Sequence, residues 1–339
     1  YFKTTIPSHK TTRFFLIQCC VLTALKRRKG VVFLLLKFAI QDFKEDREFR
    51  QISNATLTNY MGCLKEFHTY CLEKEIIEVT DITSNTIKSY LIYCQKERGN
   101  NPTTINSKLR SIKIFFNYLQ EIEIFNEKNN PVHKVNYINS NVKIEVFSDK
   151  QINEMLSYYR RIKTRDKSLY AYRDSTIIIT LLGTGMRLGE LCNLKWSDVD
   201  FENQHIILFG KLKTQTSIPM ADKLKSELQE YKLFCQKQFG KLPMFVFVDR
   251  TGKQLTPNAV KNMFKRLKQI MNFPNVRCCA YDFRHTFAHR FLMNGGDVFT
   301  LQKLLRHSSA AMTERYLAIW GTALQERANQ FNPLNRFDL

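Results

Sequence analysis

The sequence predicts a mainly α-helical protein with one small antiparallel β-sheet, organised as two domains. Three observations carry this reading. The chain has 339 residues, too many for one ordinary core, so domains of ~100–200 residues each are expected. Apolar residues recur at helical spacing along most of it. Strand-like segments are confined to one patch between residues 205 and 249.

Residues 1–45 form a basic arm, with nine Lys/Arg against Asp42 and Glu45. Within it, "KRRKGVVFLLLKFAI" at 26–40 sets basic residues before apolar ones, as a signal peptide does. It lacks a small-residue cleavage site, Lys37 interrupts it, and its apolar run falls well short of the ~20 residues of a membrane span. A basic amphipathic helix is predicted there, either solvated or lying on phosphates. The chain begins at Tyr1 rather than Met, so a preceding segment is expected.

From Ser53, Leu57, Tyr60, Met61, Leu64, Phe67 and Cys71 mark a first helix. A second runs from about Ser84 through Ile87, Tyr90, Leu91 and Cys94, and "RGNNP" at 98–102 ends it. A third follows through Ile105, Leu109, Ile112, Phe115, Phe116 and Leu119, with Lys108, Arg110 and Lys113 interleaved as candidate DNA contacts. These helices define an all-α domain at 46–130. The polar stretch 126–143 reads as a linker, set at 131–147. Ser148 and Gln151 form a capping box that opens the second domain, 148–339.

That domain starts with helical patterns. "DSTIIITLL" at 174–182 leads into "GTGMRLGEL" at 183–191, where Gly183 and Gly185 bend the chain and Arg187 opens another helix. "HIILF" (205–209) and "TSIPM" (216–220) flank "GKLKTQ" as a hairpin, and "FVFVD" (245–249) reads as a third strand. Thr256 then caps a helix with Pro257 at its first position.

Composition narrows the function. Lys+Arg number 52 against 31 Asp+Glu, a net charge of +21, which points to a polyanion and first of all to nucleic acid. The nine cysteines are scattered and form no CxxC pair, so reduced thiols in a cytoplasmic setting are expected rather than disulfides or a zinc site.

Four short stretches carry the chemistry together: "TGMRLGEL" (184–191), "GKLKT" (210–214), "YDFRH" (281–285) and "LRHSSAAMTERY" (305–316). Singly, each residue has a bland reading as a solvated charge, a helix cap or a core aromatic. In this order and at these separations the set resembles the tyrosine recombinase (phage integrase) family, of the mobile-element integrase type. That family shows Arg in "TGxRxxEL", Lys on a hairpin, "HxLRH" and "LGHxxxxxTxxY". The all-α domain at 46–130 resembles its core-binding domain. The resemblance implies a mixed α/β catalytic domain that, with the helical one, clamps DNA in a C shape.

It also implies roles. Tyr316 is the nucleophile, giving a 3′-phosphotyrosine. Arg187, Arg284 and His307 hold the phosphate, and Glu190 orients Arg187. A hairpin lysine protonates the leaving 5′-oxygen, Lys213 in preference to Lys211. Neither metal nor other cofactor is implied. The partners implied are duplex DNA bearing a specific site and, on paired sites, a homotetramer that is monomeric or dimeric off DNA. The apolar segment after Tyr316 suits docking on a neighbouring protomer or on its own domain. No membrane is implied, and the setting is cytoplasmic, at the nucleoid.

Two residues depart from the pattern. Tyr281 stands where the family has His; it can donate a hydrogen bond, but with a pKa of ~10 it is a poor general base. Arg306 stands where the family has Gly, as a further phosphate contact or a solvated charge. The alternatives are a Xer-like recombinase that resolves chromosome dimers, a type IB topoisomerase-like enzyme, and a non-catalytic DNA-binding module, against which the intact Tyr316 argues.

Overall fold

The computed structural model describes residues 26–28, 31–139, 144–209, 215–274, 276–307, 309, 312, 313 and 316. The chain divides into two compact units between Val142 and Lys143.

The first unit opens with two short antiparallel strands, β1 (Lys26–Arg28) and β2 (Val31–Phe33), with Lys26 opposite Phe33. Four helices follow: α1 (Leu36–Phe49), α2 (Asn54–Glu73), α3 (Ser84–Lys96) and α4 (Pro102–Glu121). The helix expected across 26–40 therefore starts only at Leu36. Val31, Val32 and Phe33 are strand formers, and pairing wins over the helical pattern there. Residues 1–25 of the expected arm lie outside the described residues.

The three helices expected after Ser53 form, and each starts at a side-chain cap. Ser53 Oγ accepts from the Thr56 N–H, Thr83 and Thr86 cap each other reciprocally, and Asn101 caps α4 with Pro102 behind it. Leu36, Ala39, Ile40 and Phe43 of α1 pack with Phe67, Tyr90, Phe115 and Phe116 in one core. Residues before 46 thus belong to this unit rather than to a separate arm. So do residues well past 130. The Asn130 amide donates to the Gln120 side chain at 2.8 Å, and Val132 and Val135 are buried. The two valines are the apolar signal inside a stretch that otherwise reads as linker.

The second unit holds α5 (Asp149–Asp166), α6 (Leu169–Thr184), α7 (Leu188–Asn193), a three-stranded antiparallel sheet, α8 (Asp222–Phe239), α9 (Pro257–Met271), α10 (Ala280–Met293) and α11 (Val298–Leu305). The capping box of Ser148 with Gln151 and the Thr256 cap are both formed. In the sheet, β4 (His205–Phe209) pairs with β5 (Gln215–Pro219) as expected. The third strand is β3 (Val199–Asp200), not 245–249. Phe245 and Val248 make only isolated bridges, to Lys195 and Gln254. Val246, Phe247 and Val248 are fully buried, so core burial rather than a ladder explains that apolar run.

Helix α6 is buried on nearly every side, which marks it as central. It packs against α5, α8 and α10. Phe283 of α10 lies 4.6 Å from the Phe147 ring and 5.3 Å from that of Phe264, centroid to centroid, anchoring α10 to the core. Among the described residues, no helix is long and apolar enough to cross a membrane, and Cys63, Cys71, Cys94, Cys192, Cys235, Cys278 and Cys279 are free thiols.

The corner after α6 is carried by Gly185 alone. Gly183 lies within the helix, whereas Gly185 caps it at φ +59°. A Cβ on Gly185 would sit 2.5 Å from Phe287 Cδ1 and 3.0 Å from Leu305 Cδ2. Gly185→Ala therefore combines left-handed strain of roughly 1–2 kcal/mol with overpacking of roughly 1–3 kcal/mol. Urea unfolding is expected to show a loss of about 2–4 kcal/mol for Gly185→Ala and none for Gly183→Ala, which gains helix propensity. Equal effects at the two positions would mean the corner does not depend on Gly185.

Candidate active site

The site assembles where two helices end. Gly185 caps α6 and Arg306 caps α11, both in the left-handed conformation. A helix C-terminus leaves carbonyls without partners and carries partial negative charge. Here guanidinium groups fill that need. Arg284, buried on α10, donates from Nη1 to the Gly185 carbonyl at 2.7 Å and from Nη2 to the Leu305 carbonyl at 2.6 Å. Arg306 donates from Nη1 to the Leu304 carbonyl at 2.6 Å, and Arg187 Nη2 donates to the Arg306 carbonyl at 2.9 Å.

Glu190 joins these groups. Arg187 is the extended residue preceding α7, and Glu190 sits one turn inside that helix. Its carboxylate accepts the Arg187 backbone N–H at 2.7 Å and Arg187 Nη1 at 2.9 Å. It also accepts Arg306 Nη2 at 2.6 Å. Burial alone would raise the Glu190 pKa, but the Arg306 charge and the hydrogen bonds from Arg306 and Arg187 hold it below the usual carboxylate range.

Arg187 and Arg306 share this one carboxylate and Arg284 is met by carbonyls alone, so positive charge is in excess. Burial, with the Arg187 and Arg306 charges, lowers the Arg284 pKa to about 10. Burial and the same three arginines push His307 down to about 4, so His307 is neutral at physiological pH. An entering anion would offset the part of these shifts that comes from the arginine charges.

Tyr316 is 3 % exposed, and its hydroxyl lies 2.9 Å from His285 Nδ1. The His307 and Tyr316 rings are parallel within 3°, with centroids 6.4 Å apart, and His307 Nδ1 is 2.8 Å from Thr313 Oγ1. Tyr281, 53 % exposed, sets its ring edge against His285 at 4.1 Å.

Arg187, Glu190, Arg284, His307 and Tyr316 thus come together from elements far apart in sequence. Arg306 joins them, but its side chain is turned onto Glu190 and is 8 % exposed, so it braces the site from within. Lys211 and Lys213 lie outside the described residues, between the ends of β4 and β5. In the first unit, Lys108 is held by Glu66 and the Tyr90 ring, and Lys113 lies over Tyr137, while Arg110 is exposed. Sequence reasoning passed over His285. Its signal was present, one helical turn from Tyr281 on the same face. Among the described residues, no group of three or more His, Cys, Asp and Glu is placed to hold a metal.

Guanidiniums grouped with a buried tyrosine hydroxyl make a site suited to phosphate esters. Comparison with known proteins names the family. The phage integrase family model matches residues 145–320, and the N-terminal SAM-like domain of phage integrases matches residues 40–125. A tyrosine recombinase of Pseudothermotoga lettingae is 30% identical over 290 residues, covering 84% of this chain and 93% of the relative. Tyrosine recombinase XerC of Pediococcus pentosaceus is 27% identical over 294 residues, covering 84% and 94%. The fold is also that of the Tn1549 transposon integrase solved with transposon right-end DNA (TM-score 0.70, 21% identity, 87% and 100% covered). It is likewise that of the XerH recombinase solved on palindromic difH substrate (TM-score 0.68, 18% identity, 86% and 84% covered). The chain belongs to the phage integrase family: it is a site-specific tyrosine recombinase, an enzyme that cleaves and rejoins DNA.

Arg306 at φ +54° explains one departure from the family pattern, since glycine is the usual residue for that conformation. Arg306→Gly and Arg306→Ala both remove the pair with Glu190, but only alanine keeps the strain. The glycine variant is expected to be the more stable by about 1 kcal/mol in urea unfolding. Equal stability would show that the left-handed cap is not maintained without the arginine.

Proposed function

We propose that Tyr316 is the nucleophile and that the arginine cluster is its phosphate pocket. The observation that carries this is a buried tyrosine hydroxyl close enough to Arg284 to act on its charge, in a cluster whose guanidiniums are met by helix-end carbonyls and by Glu190. Tyr316 Oη attacks the scissile phosphorus to form a 3′-phosphotyrosine, and the 5′-oxygen leaves with a proton from Lys213, or from its neighbour Lys211. Arg187, Arg284 and His307 donate to the non-bridging oxygens. Arg187 is the arginine best placed to meet incoming DNA, with 40% of its side chain exposed. The transesterification conserves the phosphoester bond, so rejoining uses the same groups in reverse.

The substrate of this reading is duplex DNA carrying a specific site, engaged mainly through phosphates, with Arg110 exposed for contact and Lys113 beside it. Strand exchange would take place in a homotetramer on paired sites, in the cytoplasm at the nucleoid. The segment after Tyr316, suited to docking on a neighbouring protomer, lies outside the described residues. The biological task we favour is integration and excision of a mobile element, because the strongly basic N-terminal stretch begins ahead of the family-matched residues. A second task, dimer resolution, is favoured by the relatives named XerC, which match most of this chain. Trapping covalent complexes on element ends and on chromosomal sites, then sequencing the bound DNA, separates the two.

Tyr316→Phe is expected to bind DNA with unchanged affinity and to form no covalent adduct on denaturing gels. An adduct from this variant would remove Tyr316 as nucleophile.

Lys213→Ala is expected to slow cleavage of normal DNA by on the order of 10²–10⁴-fold, the usual worth of general acid catalysis. A 5′-bridging phosphorothiolate, whose leaving group needs no proton, should restore the rate. Rescue of Lys211→Ala instead would move the role to Lys211.

A further inference from the structure

We infer that His285 is a catalytic residue of this recombinase, the base that takes the proton of Tyr316. The inference rests on Tyr316 being the nucleophile. Its carrying observation is geometric: His285 Nδ1 stands 2.9 Å from the Tyr316 hydroxyl, within the reach a general base requires. Both residues are buried, so no bulk water competes for that proton.

Three features support the assignment. Tyr281 occupies the position where an imidazole would be looked for, and its phenol is a weak proton acceptor at neutral pH. It is also largely exposed, with its ring edge resting against His285. Its contact fixes the plane of the His285 imidazole, which makes it a positioning residue. His307, the other imidazole nearby, is engaged at Nδ1 by Thr313 and lies with its ring parallel to that of Tyr316. Arg284, on the same helix as His285, is held to backbone carbonyls of Gly185 and Leu305 and cannot accept a proton.

The step balances. As Tyr316 Oη forms its bond to phosphorus, the O–H bond breaks and the proton passes to Nδ1, giving an imidazolium. The bond from phosphorus to the 5′-oxygen breaks, and that oxygen takes its proton from the hairpin lysine. In rejoining, the 5′-hydroxyl attacks, its proton returns to the lysine, and His285 returns its own to Tyr316.

His285→Asn is the informative variant, because an amide placed near the Nδ1 position can keep the hydrogen bond but cannot take the proton. Single-turnover cleavage is expected to fall by about 10²–10⁴-fold, with DNA affinity and thermal stability unchanged. The same variant is then made with a fluorinated tyrosine at position 316, whose phenol ionises nearer neutrality and needs no base. There the loss is expected to shrink to tenfold or less. A loss under tenfold with natural tyrosine would overturn the assignment, as would an equal loss with both tyrosines, which marks a positioning role. If His285→Asn proves unstable, His285→Gln is put through the same comparison. Tyr316→Phe runs alongside: an adduct from it overturns the nucleophile and this inference together. An adduct lost in Tyr316→Phe but formed at near-normal rate by His285→Asn overturns only the role of His285.

Discussion

The site depends on one carboxylate. Glu190 holds the backbone and the guanidinium of Arg187 and the guanidinium of Arg306 at the same time. Bringing like charges together out of water is unfavourable unless each is paired and hydrogen-bonded. One anion cannot neutralise three cations, and the remainder is met by carbonyls at the ends of α6 and α11. Those dipoles supply hydrogen bonds without cancelling a full charge. The outcome is a rigid pocket that keeps a positive surplus, which suits an anion arriving from outside. A second carboxylate would give a more comfortable resting state and a site less suited to an anion.

The same constraint explains the two helix ends. Each terminates in a left-handed residue so that its last carbonyls turn toward the arginines. At the α6 end the cap lies under Phe287 and Leu305, and only glycine fits. At the α11 end an arginine occupies the cap. Its conformational cost of roughly 1 kcal/mol is offset by charge-assisted hydrogen bonds to Glu190, each worth roughly 1.5–3 kcal/mol. One position can therefore be glycine for its backbone or arginine for its side chain, but an alanine there would have neither advantage.

Local signals were legible in the sequence. Ser148 and Thr256 announce helix starts because a cap is a contact between residues three apart, and the structure has both. The grouping of Arg187, Arg284, His307 and Tyr316 was legible through the resemblance of four ordered motifs to the family's pattern, since each residue alone reads as a solvated charge, a cap or a core aromatic. What escaped depended on distant partners. Residues 245–249 are a short run of strand formers, yet Val246 and Phe247 are buried in the core without a neighbouring ladder. Asn130 reads as a linker residue until Gln120 and the Phe116 carbonyl are placed beside it. Arg306 reads as a free cation until Glu190, 116 residues away in sequence, is seen to receive it.

His285 shows the same limit at closer range. Positions 281 and 285 lie one turn apart on α10, so their side chains share a face. An imidazole at either position can look toward the same pocket. With tyrosine at 281, the imidazole that reaches the Tyr316 hydroxyl is the one a turn further into the helix, with the Tyr281 ring edge-on to it. A helix face tolerates such an exchange because it presents a direction rather than a single position. A motif read residue by residue registers only a missing histidine at 281. Read as a surface with a period of 3.6, it still presents an imidazole, that of the pattern's last histidine, one turn further toward the helix C-terminus at about 1.5 Å of rise per residue. The hydroxyl of Tyr316 meets it there.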